Sequence, residues 1–184
     1  MRDKSYNIVI AGISAALIAV CAWISIPVGA VPITLSTLGI FLILMSAGTK
    51  RGIIAIVVYL LLGLIGIPVF SGFKGGPYVL IGPTGGFLIG YIPMALVFAL
   101  AVKVFAVRSM SGAIKIVFYI VSAVLSELIL YLFGCIWLMI TSGNKDMMNI
   151  LSVCVLPFII PDIIKIIVAS LVSQRLCKFI KQEQ

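Results

Sequence analysis

Only five carboxylates occur among 184 residues, against thirteen lysines and arginines. Two ionisable residues stand close together, Asp162 and Lys165, in an apolar run after Pro161. Residues three apart on a helix project from one face. A carboxylate beside an ammonium offers an acceptor and donors to a polar ligand. A ureido group suits that pair, because its N–H groups need an acceptor and its carbonyl needs a donor. The plainer alternatives are an ion pair that only locks the helix, or a Lys165 that reaches outward along its own stem.

A second acid, Glu127, lies beside Ser126 within another long apolar run. It either lines a cavity or is protonated and bonded to a neighbouring helix. The densest glycine cluster combines Phe70-Ser-Gly-Phe-Lys-Gly-Gly-Pro with Gly82-Pro-Thr-Gly-Gly. Glycine lets backbone approach a ligand or adopt positive φ, and the cluster also carries Phe70, Phe73 and Tyr78. It reads as a gate over an outer cavity or as a plain connector. Lys74 is its one cation, placed to hold a ligand carboxylate or to remain solvated. The cluster lacks the GxxxxGK[ST] spacing of a nucleotide-binding loop. Cys21, Cys135, Cys154 and Cys177 are scattered without CxxC spacing, and buried small hydrophobes are the expected role. With no histidine in the chain, the commonest metal ligand and general base are missing, which weighs against an enzyme.

These residues need a scaffold, and composition says which kind. The chain is 63% hydrophobic and 10% charged, whereas soluble domains run near 45–50% apolar and about 25% charged. A helical crossing needs roughly 20 apolar residues, so six crossings leave short loops and no room for a soluble domain. The runs do not alternate polar and apolar as barrel strands do. The chain is expected to be a single all-α integral membrane domain over residues 1–184, with six transmembrane helices.

The first helix is expected over 8–26. Val28-Gly29-Ala30 is a poor signal-cleavage site, and the apolar run exceeds a signal peptide's usual length. The second is expected over 33–47 after Pro27 and Pro32, followed by a basic loop Gly48-Thr49-Lys50-Arg51-Gly52. The third covers 53–67 and stops at Pro68. The fourth covers 87–107 with a kink at Pro93, and the fifth 113–140. Residues 147–160, interrupted by Pro157, read as a short or re-entrant outer segment. The sixth helix then starts near Pro161 and runs to 178.

Cytoplasmic segments carry an excess of lysine and arginine. With the N-terminus inside, Arg2, Lys4, Lys50, Arg51, Lys103, Arg108, Lys115, Arg175, Lys178 and Lys181 are cytoplasmic. Lys74 and Lys145 lie outside, and Lys165 lies within the sixth helix. Both termini are then expected in the cytoplasm. The net charge of +8 follows from this topology and not from a nucleic-acid-binding face. Along the first helix, Ala11, Ala15 and Ala19 recur every four residues. Such a stripe lets another helix approach closely, either in the bundle or in a partner.

Several segments together resemble the BioY family, the biotin-specific S components of energy-coupling factor (ECF) transporters. They are Val31-Pro-Ile-Thr-Leu, Tyr59-Leu-Leu-Leu-Gly-Leu-Ile-Gly-Ile-Pro-Val-Phe, Gly75-Gly, Gly82-Pro-Thr-Gly-Gly-Phe-Leu-Ile-Gly and Pro157-Phe-Ile-Ile-Pro-Asp-Ile-Ile-Lys. The likeness covers nearly the whole chain. Departures fall at Ser36, where the family commonly has glutamine, and at Phe87, where it commonly has tyrosine. The resemblance implies a six-helix S-component fold with an outer biotin pocket, capped by the loops between helices one–two and three–four. It implies that Asp162 and Lys165 meet the biotin head. The other candidate contacts are Phe70, Lys74, Gly75, Gly76, Thr84, Gly85, Gly86 and Tyr131. It also implies that Ala11, Ala15 and Ala19 meet a transmembrane coupling protein carrying two ATP-binding-cassette ATPases. No cofactor is implied, biotin being cargo, and the site is the plasma membrane of a prokaryote. In the family picture the S component topples in the membrane to carry its pocket inward.

Physically, the fused rings of biotin can lie against Phe70, Tyr131 or Trp137 while polar groups fix the head. Trp137 also suits an interfacial belt. The competing functions are an S component for another small vitamin, an intramembrane enzyme acting on lipid, and a purely structural subunit. An enzyme would need a nucleophile–base pair at depth, and the structural subunit leaves the glycine-rich gate without a purpose.

Overall fold

The computed structural model describes residues 2–29, 31–143 and 146–182, with side chains described between 8 and 176 except at 30, 108, 144 and 145. The expectations placed on Lys145 and on the side chains of Arg2, Lys4, Arg108, Cys177, Lys178 and Lys181 lie outside the described residues.

The chain is mostly helical. Helix α1 spans Arg2–Trp23, α2 Ser36–Ser46, α3 Thr49–Leu64, α4 Pro77–Ile81 and α5 Gly85–Val104. A 3-10 turn follows at Val107–Ser109, then α6 at Gly112–Ser142, α7 at Met147–Cys154 and α8 at Leu156–Gln182. Three stretches are long and apolar enough to cross a bilayer: Gly85–Val104, Gly112–Ser142 and Met147–Leu176. Ile8–Trp23 and Ser36–Ser46 are shorter apolar helices. Ile8, Leu61, Leu100, Leu132 and Ile164 point outward and are each more than half exposed. Apolar side chains face the surface on every long helix, as lipid as the outer solvent requires.

Four expectations are revised. Between α1 and α2 the chain forms a small antiparallel hairpin, Ser25–Ile26 (β1) with Ile33–Thr34 (β2), pairing Ser25 with Thr34 and Ile26 with Ile33. The apolar runs predict helix for those four residues, but Pro27 and Pro32 between them end helical hydrogen bonding. The basic loop is shorter than expected, because Thr49 to Gly52 already belong to α3. Gly48, at φ 99°, reverses the chain in a conformation that side-chain-bearing residues avoid. Residues 147–160 hold the short helix α7, a break at Val155 with φ −122° and ψ −55°, and the start of α8. Helix α8 therefore begins before Pro161 and takes that proline inside it. Pro157, in the first turn, lacks an N–H that would have had no partner there anyway. Helix α5 likewise continues through Pro93.

Packing is set by a few helix pairs, α5 on α6, α2 on α8 and α1 on α3. The core runs through all of them, with Ile18, Ile40, Phe41, Ala55, Met94, Phe98 and Ala169 fully enclosed. The alanine stripe of α1 is part of this interior. Ala11, Ala15 and Ala19 are 5%, 1% and 4% exposed. Small side chains there let α1 sit close to its own neighbours. The face of α1 turned outward carries Gly12 and Ala16, between Ile13 and Leu17.

Candidate functional site: an enclosed cavity at the start of α5

One cavity of about 400 Å³ opens between the hairpin, the loop after α3, and helices α2, α3, α5, α6 and α8. Its size lies within the roughly 300–1,000 Å³ of small-molecule sites. The short helix α2 helps to form it. At about 1.5 Å per residue, its 11 residues reach only about half of a bilayer core. The hairpin before it turns irregular backbone to the cavity.

At the cavity base stand Asp162 and Lys165, 4% and 5% exposed. Lys165 Nζ donates to Asp162 Oδ1 at 2.7 Å. The hydroxyl of Tyr131 donates to Asp162 Oδ2 at 2.6 Å. Taking either charge out of water alone would be costly, and the pair with its extra hydrogen bond is how a bundle tolerates both. Helix α6 supplies Tyr131 and, one turn earlier, Glu127, which lines the same cavity. Glu127 thus lines the cavity and also stands beside Asp162 of the neighbouring α8, so neither of the two readings is removed.

The walls are largely apolar and aromatic. Phe70 is 1% exposed and stands edge-on to Tyr59, with ring centroids 5.5 Å apart. Its ring fills the space over Gly63, where any Cβ would collide with it. Phe87 stacks on Phe158 at 6.1 Å and rests on Gly134 in the same manner. Thr34 and the buried Ser36 share a hydroxyl hydrogen bond of 3.0 Å on the cavity wall. Ser71, Gly72 and the exposed Lys74 come from the loop after α3. That loop is tied down at both sides. Phe70 N–H donates to the Lys74 carbonyl at 2.9 Å, Trp23 Nε1–H donates to the Pro68 carbonyl at 2.9 Å, and Trp23 stacks on Phe73 at 5.0 Å.

Of the residues expected at the site, the cavity brings together Asp162, Lys165, Phe70, Lys74, Thr84 and Tyr131. Gly75, Gly76, Gly85 and Gly86 are not among its lining. They permit close packing instead. A Cβ at Gly75 would meet the Ile67 carbonyl, one at Gly85 the Leu80 carbonyl and one at Gly86 the Trp137 side chain, while Gly76 holds φ 103°. Trp137 donates to the Gly82 carbonyl at 2.9 Å and clamps the glycine-rich segment; it is neither a cavity wall nor a free belt residue. Cys21, Cys135 and Cys154 are buried and free. Among the described residues, no three His, Cys, Asp or Glu side chains converge as a metal site would need.

Thr34, Tyr59, Ser71 and Tyr91 also line the cavity and were not foreseen. Tyr59 and Tyr91 lie in apolar runs with the spacing of ordinary core residues. Only the hydroxyl at the end of each ring set them apart.

A helical membrane bundle with a sealed ion pair under an aromatic chamber defines a small-molecule-binding membrane protein. The BioY family profile matches residues 1–182, and the chain belongs to that family. The biotin transporter BioY of Thermotoga maritima is 43% identical over 91% of this chain and 94% of its own length. The probable biotin transporter BioY of Pyrococcus horikoshii is 36% identical over 96% of this chain and 98% of its own. The crystal structure of the S component for biotin from an ECF-type ABC transporter superposes with a TM-score of 0.82. That match has 27% identity over 96% of this chain and 93% of the other.

Proposed function

We propose that this chain is the biotin-binding S component of an ECF-type ABC importer in a prokaryotic plasma membrane. The observation that carries the reading is the Asp162–Lys165 pair, buried at the base of a cavity with aromatic walls. An acceptor and a donor side by side match the N–H and C=O of a ureido ring. Phe70, Phe87 and Phe158 offer apolar faces to the thiophane ring and the start of the valerate chain. Lys74, exposed at the mouth, is the cation placed to meet the carboxylate.

Six crossings are assigned to α1, α2 with its hairpin, α3, α5, α6 and α8 with the short α7 before it. Lys50 and Lys103 line one shallow groove at the far end of α5 from the cavity. Gln174 of α8 donates to the Gly112 carbonyl at the start of α6, which brings Arg175 and Lys115 to that end as well. Cytoplasmic enrichment in such residues supports both termini inside and the cavity outside. The coupling protein and its two ATPases supply the energy. Contact with the coupling protein is assigned to α1, at the stripe Ala11, Ala15 and Ala19 and the adjoining exposed Gly12 and Ala16.

Thermal unfolding of the purified chain in detergent, with a panel of water-soluble vitamins, tests the reading. A ligand that binds only the folded state raises its apparent stability by RT ln(1 + [L]/Kd). Biotin is expected to raise the midpoint and the other vitamins to leave it unchanged. A shift from another vitamin and none from biotin reassigns the cargo; no shift from any removes the transport reading.

A further inference from the structure

The cavity holds one carboxyl that the binding scheme above leaves unused. Glu127 stands four residues before Tyr131 on α6, so both side chains leave the same face of the helix. It lines the cavity, is 4% exposed, and neither Oε1 nor Oε2 accepts from a donor among the described residues, the nearest polar neighbour being the Asp162 carboxyl. Asp162 differs, because Lys165 holds its Oδ1 and Tyr131 its Oδ2. A buried carboxyl left unpaired lowers stability. Keeping one beside a neutralised ion pair therefore points to a donor that enters from the cavity.

We propose that Glu127 is the second acceptor for the ligand head, an inference that rests on the biotin reading. A cyclic urea presents N–H, C=O and N–H in a row. The site presents the complementary row: Glu127 accepts one N–H, Lys165 donates to the carbonyl, and Asp162 accepts the other N–H. Each carboxylate oxygen has two lone pairs, so Asp162 takes that N–H while keeping its bonds to Tyr131 and Lys165. The same row rejects rings that carry a lone pair or an alkyl group at either nitrogen position, since a buried acceptor would then stay unpaired.

The test is calorimetric binding to the full chain in detergent, using biotin and its two singly N-methylated ureido derivatives. Glu127→Met is expected to lose about tenfold or more in biotin affinity, with an unliganded melting temperature equal to or above that of the parent. A merely structural role would lower the melting temperature. One of the two N-methyl derivatives is expected to bind parent and variant within about threefold of each other, because its methylated nitrogen has no proton for Glu127 to accept. Glu127→Gln, which keeps an acceptor oxygen, is expected to lose less than the methionine variant. Biotin affinity unchanged in Glu127→Met but lost in Asp162→Asn overturns the role of Glu127 and leaves the biotin reading intact. An equal loss for biotin and both derivatives also overturns it, since cavity shape alone then accounts for the effect. Should the methionine variant unfold, the glutamine variant decides: discrimination between the two derivatives identical to the parent's overturns the proposal. Absence of biotin binding in the parent removes both readings.

Discussion

Lysines at the two ends of the bundle hold their charge in opposite ways. Beside the first turns of α5, Lys165 is buried, paired at 2.7 Å and enclosed by aromatic rings. At the last turn of α5, Lys103 and the neighbouring Lys50 of α3 are exposed on a groove. A solvated charge interacts weakly with its surroundings. A desolvated one is held in place by its partners and punishes their loss. On the proposed reading, one end recognises a ligand chemically and the other sets orientation by charge alone.

The sharpest way to break this contrast is Asp162→Asn, which leaves Lys165 buried without its counter-charge. Removing one member of a buried pair costs about 3–5 kcal/mol, so the melting temperature is expected to fall. Biotin affinity is expected to fall by about a hundredfold or more, since an ionic acceptor and its geometry are lost together. Unchanged calorimetric affinity would remove Asp162 from the site. Replacing both members, Asp162→Leu with Lys165→Met, separates the two effects: thermal stability is expected to recover while binding does not.

A smaller effect is expected from Tyr131→Phe. It removes only the hydroxyl that donates to Asp162 Oδ2, and a hydrogen bond to a charged group is worth about 1.5–3 kcal/mol. Titration should show roughly tenfold or greater weakening without loss of fold. Gly63→Ala acts on the wall and not the charge. Its new methyl group collides with the Phe70 ring, and overpacking of this kind costs about 1–3 kcal/mol. A lowered melting temperature with a modest loss of affinity is the expected result, and an unaltered melting curve would show that Phe70 moves aside freely. At the bottom of the scale, Lys50→Gln with Lys103→Gln should leave biotin affinity within about twofold, as exposed charges far from a site do. A large effect there would erase the distinction between the two ends.

Much of this was legible in the chain itself, though not uniformly. Asp162 and Lys165 could be paired from spacing alone, because a helix puts residues three apart on one face and an apolar setting forces charges together. Ala11, Ala15 and Ala19 show where the same logic stops. Their spacing announces a close helix contact, but the period of one helix does not say which helix is across from it. The structure answers with the bundle's own interior. The glycines behave similarly. Gly85 and Gly86 mark a crowded backbone, and only the folded chain shows Trp137 and Leu80 as the crowd.

What the sequence determined by itself was therefore the solvent, the helical class and the ion pair. Each follows from local composition or from contacts within a single helix. The tertiary structure alone decided that Tyr131 reaches Asp162 across 31 positions of sequence and that Glu127 faces the same cavity. It also decided that the alanine stripe is enclosed. Those facts depend on the rotation of one helix against another, which many weak packing contacts set together and no single segment encodes.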